Sequence, residues 1–225
     1  MATVIGDMRL NADFSCVKIS AAEKAAERKK FIRQWRWRNF WQYRWREWPT
    51  ELVIAAHRLA RWVFGEKVPP LLISELRCKL IRWDGEELDL GVVGRHLIVT
   101  AGKNYLASCM DNTAEPESLK FHGYGIGTTA AAAGDTLLQS ELTTEYATDN
   151  TRPTGSQSHL NNTYTTIATV SPDTASSATI AVTEWGLFTV ATAATITMLD
   201  HQVFSAINLV PAADSLQTTY VLTFS

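Results

Sequence analysis

Five histidines, His57, His96, His122, His159 and His201, are the residues of this 225-residue chain best suited to proton transfer or metal ligation. No two of them stand at the HxH or HExxH spacing that places two imidazoles on one ion, so each reads as a surface or internally satisfied histidine. No metal or cofactor is expected. Gly123-Tyr124-Gly125-Ile126-Gly127 has the look of a phosphate-binding glycine loop, but Thr128 stands where the next spaced glycine belongs and no helix follows. The run is read as a glycine-permitted β-bend. Gly155-Ser156-Gln157-Ser158 lacks the closing glycine of a nucleophile elbow. Glu86-Glu87 flank an expected turn and read as solvated. Cys16, Cys78 and Cys109 are odd in number and far apart, which supports free thiols over a disulfide framework or a zinc knuckle. No catalytic residue is assigned, and the chain is not read as an enzyme.

The segment with the strongest binding chemistry runs from Phe31 to Trp48. At about 100° per residue, Trp35, Trp37, Trp41, Trp45 and Trp48, with Phe31, fall within roughly 160° of one helix face. Arg33, Arg36, Arg38, Arg44 and Arg46 interleave with them. An indole has a large apolar area and one N–H donor, and a guanidinium stacks on its face, so the combination suits a surface that is buried while its edges stay wet. Three binding readings compete: a helix lying in a membrane interface, an Arg-to-phosphate and Trp-to-base contact with nucleic acid, and a docking helix inserting the Trp row into a partner protein. Against these stands packing of the row on a second helix of this chain, whose Leu52, Ile54, Ala55, Leu59 and Trp62 offer an apolar surface. Packing and docking are favoured over nucleic acid and membrane.

These residues need elements to hold them. Residues 1–19 show no period and read as an extended arm. Ser20-Ala21-Ala22-Glu23 matches the capping box and predicts a helix from there to Trp48, where Pro49 ends it. Thr50 caps a second helix over Glu51 to Phe64, with Gly65 after it and Pro69-Pro70 closing the segment. A helical hairpin results. Alternation on both sides of Asp84-Gly85 predicts a type I′ β-hairpin from about Leu76 to Val92. A short helix is expected over Ala101 to Met110, capped by Thr100, with Tyr105, Leu106, Cys109 and Met110 as its apolar stripe. Strands are then expected at Leu119 to Ile126, Leu137 to Tyr146, Thr163 to Val170, Thr179 to Trp185, Thr195 to Leu199, Val203 to Leu209 and Leu216 to Phe224. The fold class is α+β: a first region, 1–72, of arm and helical hairpin, and a second, 73–225, forming an antiparallel β-sandwich or jelly-roll-like domain.

Charge divides along the same boundary. Residues 1–110 hold 19 Lys and Arg against 12 Asp and Glu, a net +7, whereas residues 111–225 hold 2 against 11, a net −9. The overall −2 therefore averages two opposed halves. Of the 8 Trp, 7 lie before residue 111, and 23 Thr lie after it. Thr suits a strand with one wet face. The N-terminus lacks the apolar core of a secretory signal, and the longest uncharged apolar-leaning stretch, Gly186 to Leu199, is short of the roughly 20 residues a membrane span needs, so no span is expected.

The run from Leu97-Ile98-Val99-Thr100-Ala101-Gly102 through Phe121-His122-Gly123-Tyr124-Gly125-Ile126-Gly127-Thr128-Thr129-Ala130 continues with Gly134-Asp135-Thr136, Glu141-Leu142 and Thr183-Glu184-Trp185-Gly186-Leu187-Phe188. It closes with Leu199-Asp200-His201-Gln202-Val203-Phe204-Ser205-Ala206-Ile207 and Tyr220-Val221-Leu222-Thr223-Phe224. Over about residues 76–225 this resembles a group of small β-rich structural proteins of tailed bacteriophages. The Trp/Arg hairpin lies outside the pattern, and His201 stands where Arg is frequent. The resemblance implies a virion component, head-decorating or tail-associated, without enzymatic activity. The favoured expectation is a capsid cement (decoration) or minor capsid protein, carried in the virion and assembled in the host cytoplasm. Its acidic β domain is displayed, and its basic aromatic hairpin grips the major capsid protein or another virion protein. A homo-oligomer is expected, a trimer by analogy with three-fold shell positions. The alternatives are a tail or fibre component that contacts the host, and a glycan-active hydrolase, for which no compact acid pair is found.

Overall fold

The computed structural model of the chain describes residues 3–5, 8–10, 16–18, 21–42, 55–56, 59–60, 62, 72–96, 98–147, 149–173, 178–193 and 198–224. Three short strands, β1 (Thr3–Ile5), β2 (Met8–Leu10) and β3 (Cys16–Lys18), pair antiparallel in sequence order where an extended arm was expected. Three residues are too few for an alternating pattern to declare itself. Helix α1 covers Ala21–Gln42. The corner at Pro49 and most of the second helix lie outside the described residues. Residues 55–56, 59–60 and 62 are helical; the helical hairpin as a unit is not confirmed.

Strands β4 (Leu72–Ile81) and β5 (Glu87–His96) form the expected hairpin, with Ile81 opposite Glu87. Its turn differs from type I′. Gly85 alone has positive φ, +79°, and its N–H bonds to Arg82 O at 2.9 Å, so a wider loop of residues 82–86 replaces the two-residue turn. Helix α2 (Thr100–Met110) starts one residue early, with Val99 and not Thr100 at its cap. It lies against the strand that holds Leu199, where a Cβ on Gly102 would stand 2.3 Å from Leu199 O. Tyr105 and Leu106 pack on the core, while Met110 faces solvent. A 3₁₀ turn (Pro116–Ser118) precedes β6 (Phe121–Gly125), β7 (Ser156–Leu160), β8 (Thr163–Val170), β9 (Ile180–Phe188), β10 (Met198–Leu209) and β11 (Ser215–Phe224).

All strand pairs are antiparallel, in sheets ordered β5-β4-β11-β8-β7 and β10-β9-β6. The two sheets share one hydrophobic core, in which Leu76, Leu80 and Tyr220 of the first meet Val182, Trp185 and Phe204 of the second. This is the α+β class expected; a jelly-roll connection is not confirmed. Thr163, Thr165, Thr169, Thr219 and Thr223 lie on the outer face of the five-stranded sheet, as their chemistry suggests, whereas Thr166 and Thr218 point inward. The strand expected at Leu137 to Tyr146 is absent, because the N–H groups of Gln139 and Ser140 go to the Glu184 carboxylate instead of a neighbouring strand. The two strands expected around Asp200 are one strand with register shifts at Met198/Asp200 and Val203/Ile207.

Helix α1 closes the side where the edge strands of the two sheets meet. Asn39 Nδ2 donates to Val93 O on β5 at 3.0 Å, and Asn39 Oδ1 accepts from Ser205 N on β10 at 2.9 Å. Trp35, 5% exposed, lies in the shared core with its Nε1 directed at Ser205 O and Ala206 O, both at 3.2 Å. Arg36 donates to Leu90 O at 3.1 Å and to Asp89 O at 3.3 Å, and Arg28 donates to Glu87 O. Residues 28, 32, 35, 36 and 39 follow the helical repeat on one face. An edge strand is a row of unpaired peptide groups, and here side chains of a helix bond to part of that row on both sheets.

Candidate functional site

The structure divides the predicted Trp/Arg set by direction. Trp35 turns into the chain's own core, and Trp37, two residues on, is 64% exposed. An arc of roughly 160° is wide enough to hold side chains that point to opposite surroundings, so the expected single Trp face does not hold for this pair. Arg33 and Arg38 are exposed, and Arg36 is bonded to β5. The outward side of α1 therefore presents Lys29, Arg33 and Trp37 around an open groove of about 600 Å³ that Ile32 and Arg36 also line, with Arg38 exposed on the same helix. Trp41 falls within α1, with its side chain outside the described residues, as are Arg44, Trp45, Arg46 and Trp48.

A second constellation, absent from the sequence expectation, is buried between β9, β10 and the loop of residues 126–141. Glu184, fully buried, accepts the N–H of Gly127 at 2.9 Å and of Ser140 at 2.8 Å on Oε1, and of Gln139 at 3.0 Å on Oε2. His201 lies beside it, with Nε2 3.3 Å from Glu184 Oε2 and Nδ1 2.7 Å from Asp135 Oδ2. Each ring nitrogen faces a carboxylate oxygen, so both carry protons and the ring is an imidazolium. Burial opposes charge on both partners. The bonds between His201 and its two carboxylates outweigh that burial and raise the imidazole above its ordinary value. Glu184 is held below the usual carboxylate range by His201 and the Ser140, Gln139 and Gly127 amides, against the upward push of burial.

The spaced glycines make room for this carboxylate. A Cβ on Gly125 would lie 2.3 Å from Glu184 Oε1, and one on Gly127 2.6 Å from it. Neither glycine has positive φ, so close approach, and not the expected bend, requires them. The legible signal was the alternation itself: Gly at i, i+2 and i+4 bares one face of a strand, which invites a side chain from its neighbour. Glu184, a lone acid in an otherwise apolar strand, was the complementary signal.

Two further buried groups join loops to the sheets. Arg152 Nε and Nη2 form a bidentate pair with Glu141 at 2.6 and 2.9 Å, Nη1 donates to Val190 O at 3.1 Å, and the guanidinium stacks 3.4 Å from the Phe188 ring centroid. The Tyr146 hydroxyl accepts Tyr124 N–H at 2.9 Å and lies 3.2 Å from Glu141 Oε1. His122, buried at the sheet interface, receives the Trp185 Nε1–H on Nδ1 at 3.2 Å. An indole only donates, so the proton of the neutral ring is on Nε2, which donates to Thr166 Oγ1 at 3.2 Å. Thr218 Oγ1 lies 2.9 Å from Nδ1 and 2.7 Å from the Tyr124 hydroxyl.

Burial pushes His122 down to about 3, and a proton on Nδ1 would oppose the Trp185 N–H. A histidine whose folded value is depressed takes up its proton more readily when unfolded, so its contribution is complete above about pH 6.5 and falls as the pH drops toward 3. Relative to a His122→Gln variant, the wild type is expected to lose about 2 kcal/mol between pH 7.5 and pH 5. Urea titrations at the two pH values measure this; a constant difference refutes it.

Every buried acid and base just described is joined to a partner within the chain, and the arrangement fastens loops 126–141 and 149–155 onto the sheets. Among the described residues no group of three or more His, Cys, Asp and Glu side chains is placed to hold a metal ion. Cys78 is a buried free thiol whose burial raises it, and Cys109 is a half-buried one. Comparison of the chain with protein-family models, with curated protein sequences and with solved structures finds no match in any of the three.

Proposed function

We propose that the chain is a structural protein of a tailed-bacteriophage virion, a capsid cement (decoration) or minor capsid protein that binds shell proteins through its basic aromatic N-terminal region. The observation that carries the proposal is the two-sided use of α1. Its inner side is bonded to both edge strands through Trp35, Arg36 and Asn39, and its outer side holds Lys29, Arg33, Trp37 and Arg38 toward a partner. A helix held this firmly loses little further freedom on binding, so an exposed indole ringed by cations acts as a preorganised anchor. The cations suit an acidic surface on the neighbouring shell protein, while the −9 half of the chain is displayed.

The test is incorporation into particles. The triple variant Trp37→Ala, Arg33→Glu, Arg38→Glu is expected to keep wild-type stability within about 1 kcal/mol and to lose particle association by about 30-fold. Incorporation at the wild-type level overturns the proposal. A second reading, a tail or fibre component that contacts the host, draws on exposed Trp83 at the tip of the β4–β5 turn, beside Phe31 on a groove of about 420 Å³. Electron microscopy with the protein labelled separates them, since many copies over the head indicate cement and a few at the tail indicate attachment. Among the described residues no helix is long and apolar enough to cross a membrane.

A further inference from the structure

We infer that β7 is a self-association strand, through which two copies of the chain join edge to edge, antiparallel about a two-fold axis at Ser158. The inference stands independently of what the outer side of α1 binds.

Two sheets have four edges, and three of them are covered. Side chains of α1 take the edges of β5 and β10, as described above. The edge of β6 is met by residues 140–142 and 153–154, with Leu142 N bonded to Tyr124 O at 2.9 Å, Ile126 N to Ser140 O at 2.9 Å and His122 N to Pro153 O at 3.0 Å. The same chain then leaves β6 at Gly155, where a Cβ would strike Thr166 Oγ1 at 2.1 Å, and joins β8 as β7. The other edge of β7 has no backbone partner among the described residues, and Ser156, Ser158, His159 and Leu160 are exposed.

An edge left open in a monomer is ordinarily protected by Lys, Pro, a bulge or an inward charge. β7 reads SQSHL, with none of these residues and no register shift against β8. Charge on the outer face of this sheet is instead concentrated at its far side, where Glu75 pairs with Arg77 and Arg95 and Lys79 pairs with Glu87. The side next to β7 carries Thr163, Thr165 and Ile167.

A second copy of the same strand fits this edge. Antiparallel pairing about Ser158 sets Ser156 opposite Leu160 and Gln157 opposite His159, with no like charges apposed. It also accounts for an exposed apolar pair. Ile167 stands opposite Ser156 within the chain, and Leu160 of the second copy would lie beyond that serine, about 10 Å from Ile167 at two strand spacings. Leu160 is 74% exposed in the single chain, and the two aliphatic side chains would close over the small serine between them. Such an interface is isologous and yields a dimer, in place of the three-fold arrangement expected by analogy.

Sedimentation equilibrium of the full chain is expected to show concentration-dependent association to twice the 25.0 kDa chain mass. Ser158→Lys places like charges opposite one another at the axis and is expected to weaken association about tenfold while leaving the melting temperature of the dilute, monomeric protein unchanged. Ser158→Asp is expected to do the same, and an equimolar mixture of the two variants to associate again. Thr219→Lys, in the middle of the same outer face, is expected to associate as the wild type does. A wild type that stays monomeric to about 1 mM, a bound below which no specific contact is being made, overturns the inference. So does an oligomer that both Ser158 variants retain, or a mixture of the two that does not recover.

Discussion

Glu184→Gln is expected to destabilise the fold by about 3–5 kcal/mol, among the largest losses a single side chain here can cause. The amide is nearly isosteric, so packing is conserved and the effect isolates hydrogen bonding. Oε1 of Gln can still accept from Gly127 and Ser140, but its NH₂ would face the Gln139 N–H and the His201 Nε2–H, two donors with nothing to accept them. His201 would keep Asp135 as its one carboxylate. The pH dependence distinguishes this from general loosening. The lowered Glu184 contributes stability that is present above its unfolded value and is lost as the pH falls through its folded one. The raised His201 contributes stability that is complete below about 6.5 and is lost as the pH rises through its folded value. The gap between wild type and variant should therefore be widest between about pH 4.5 and 6.5 and should narrow on both sides. Denaturant titrations across pH 3.5–9 measure it; a gap independent of pH refutes the charged arrangement.

Trp35→Ala is expected to cost about 3–5 kcal/mol, whereas Trp37→Ala should change stability by no more than about 0.5 kcal/mol. The two residues have the same type, the same helix and neighbouring positions, yet one fills the core shared by both sheets and the other faces solvent. Removing the Trp35 indole leaves a cavity at the junction of β5 and β10 and frees the carbonyls of Ser205 and Ala206. Loosening α1 would also bare two edge strands, so scattering that grows with protein concentration should accompany the loss for Trp35→Ala alone. Equal losses for the two variants would contradict the docking of α1 described above.

The sequence carried the local structure well wherever one face of an element was wet and the other dry. β8 begins and ends where its Thr alternation does, and β11 and the β4–β5 hairpin follow theirs, because burial on one side writes a period of two into the residues. It failed at β7, which has neither a β-branched residue nor a dry face, and at Leu137 to Tyr146, whose apolar residues promised a strand that the Glu184 carboxylate displaced. The outward side of α1 was half legible: composition marked the helix as unusual, but which indole turns inward depends on what it meets.

By itself the sequence determined the α+β class, the position of α1 and α2, the antiparallel pattern and the separation of +7 from −9 along the chain, all of them consequences of composition and short-range period. Tertiary structure alone decided that Trp35 and Trp37 part company, that Gly125 and Gly127 exist to admit Glu184, and that β7 is the edge left uncovered among the described residues. The first two turn on contacts between residues 57 to 170 positions apart, and the third on which segments reach a sheet edge; in all three a side chain's or strand's surroundings are supplied by parts of the chain that local spacing does not encode.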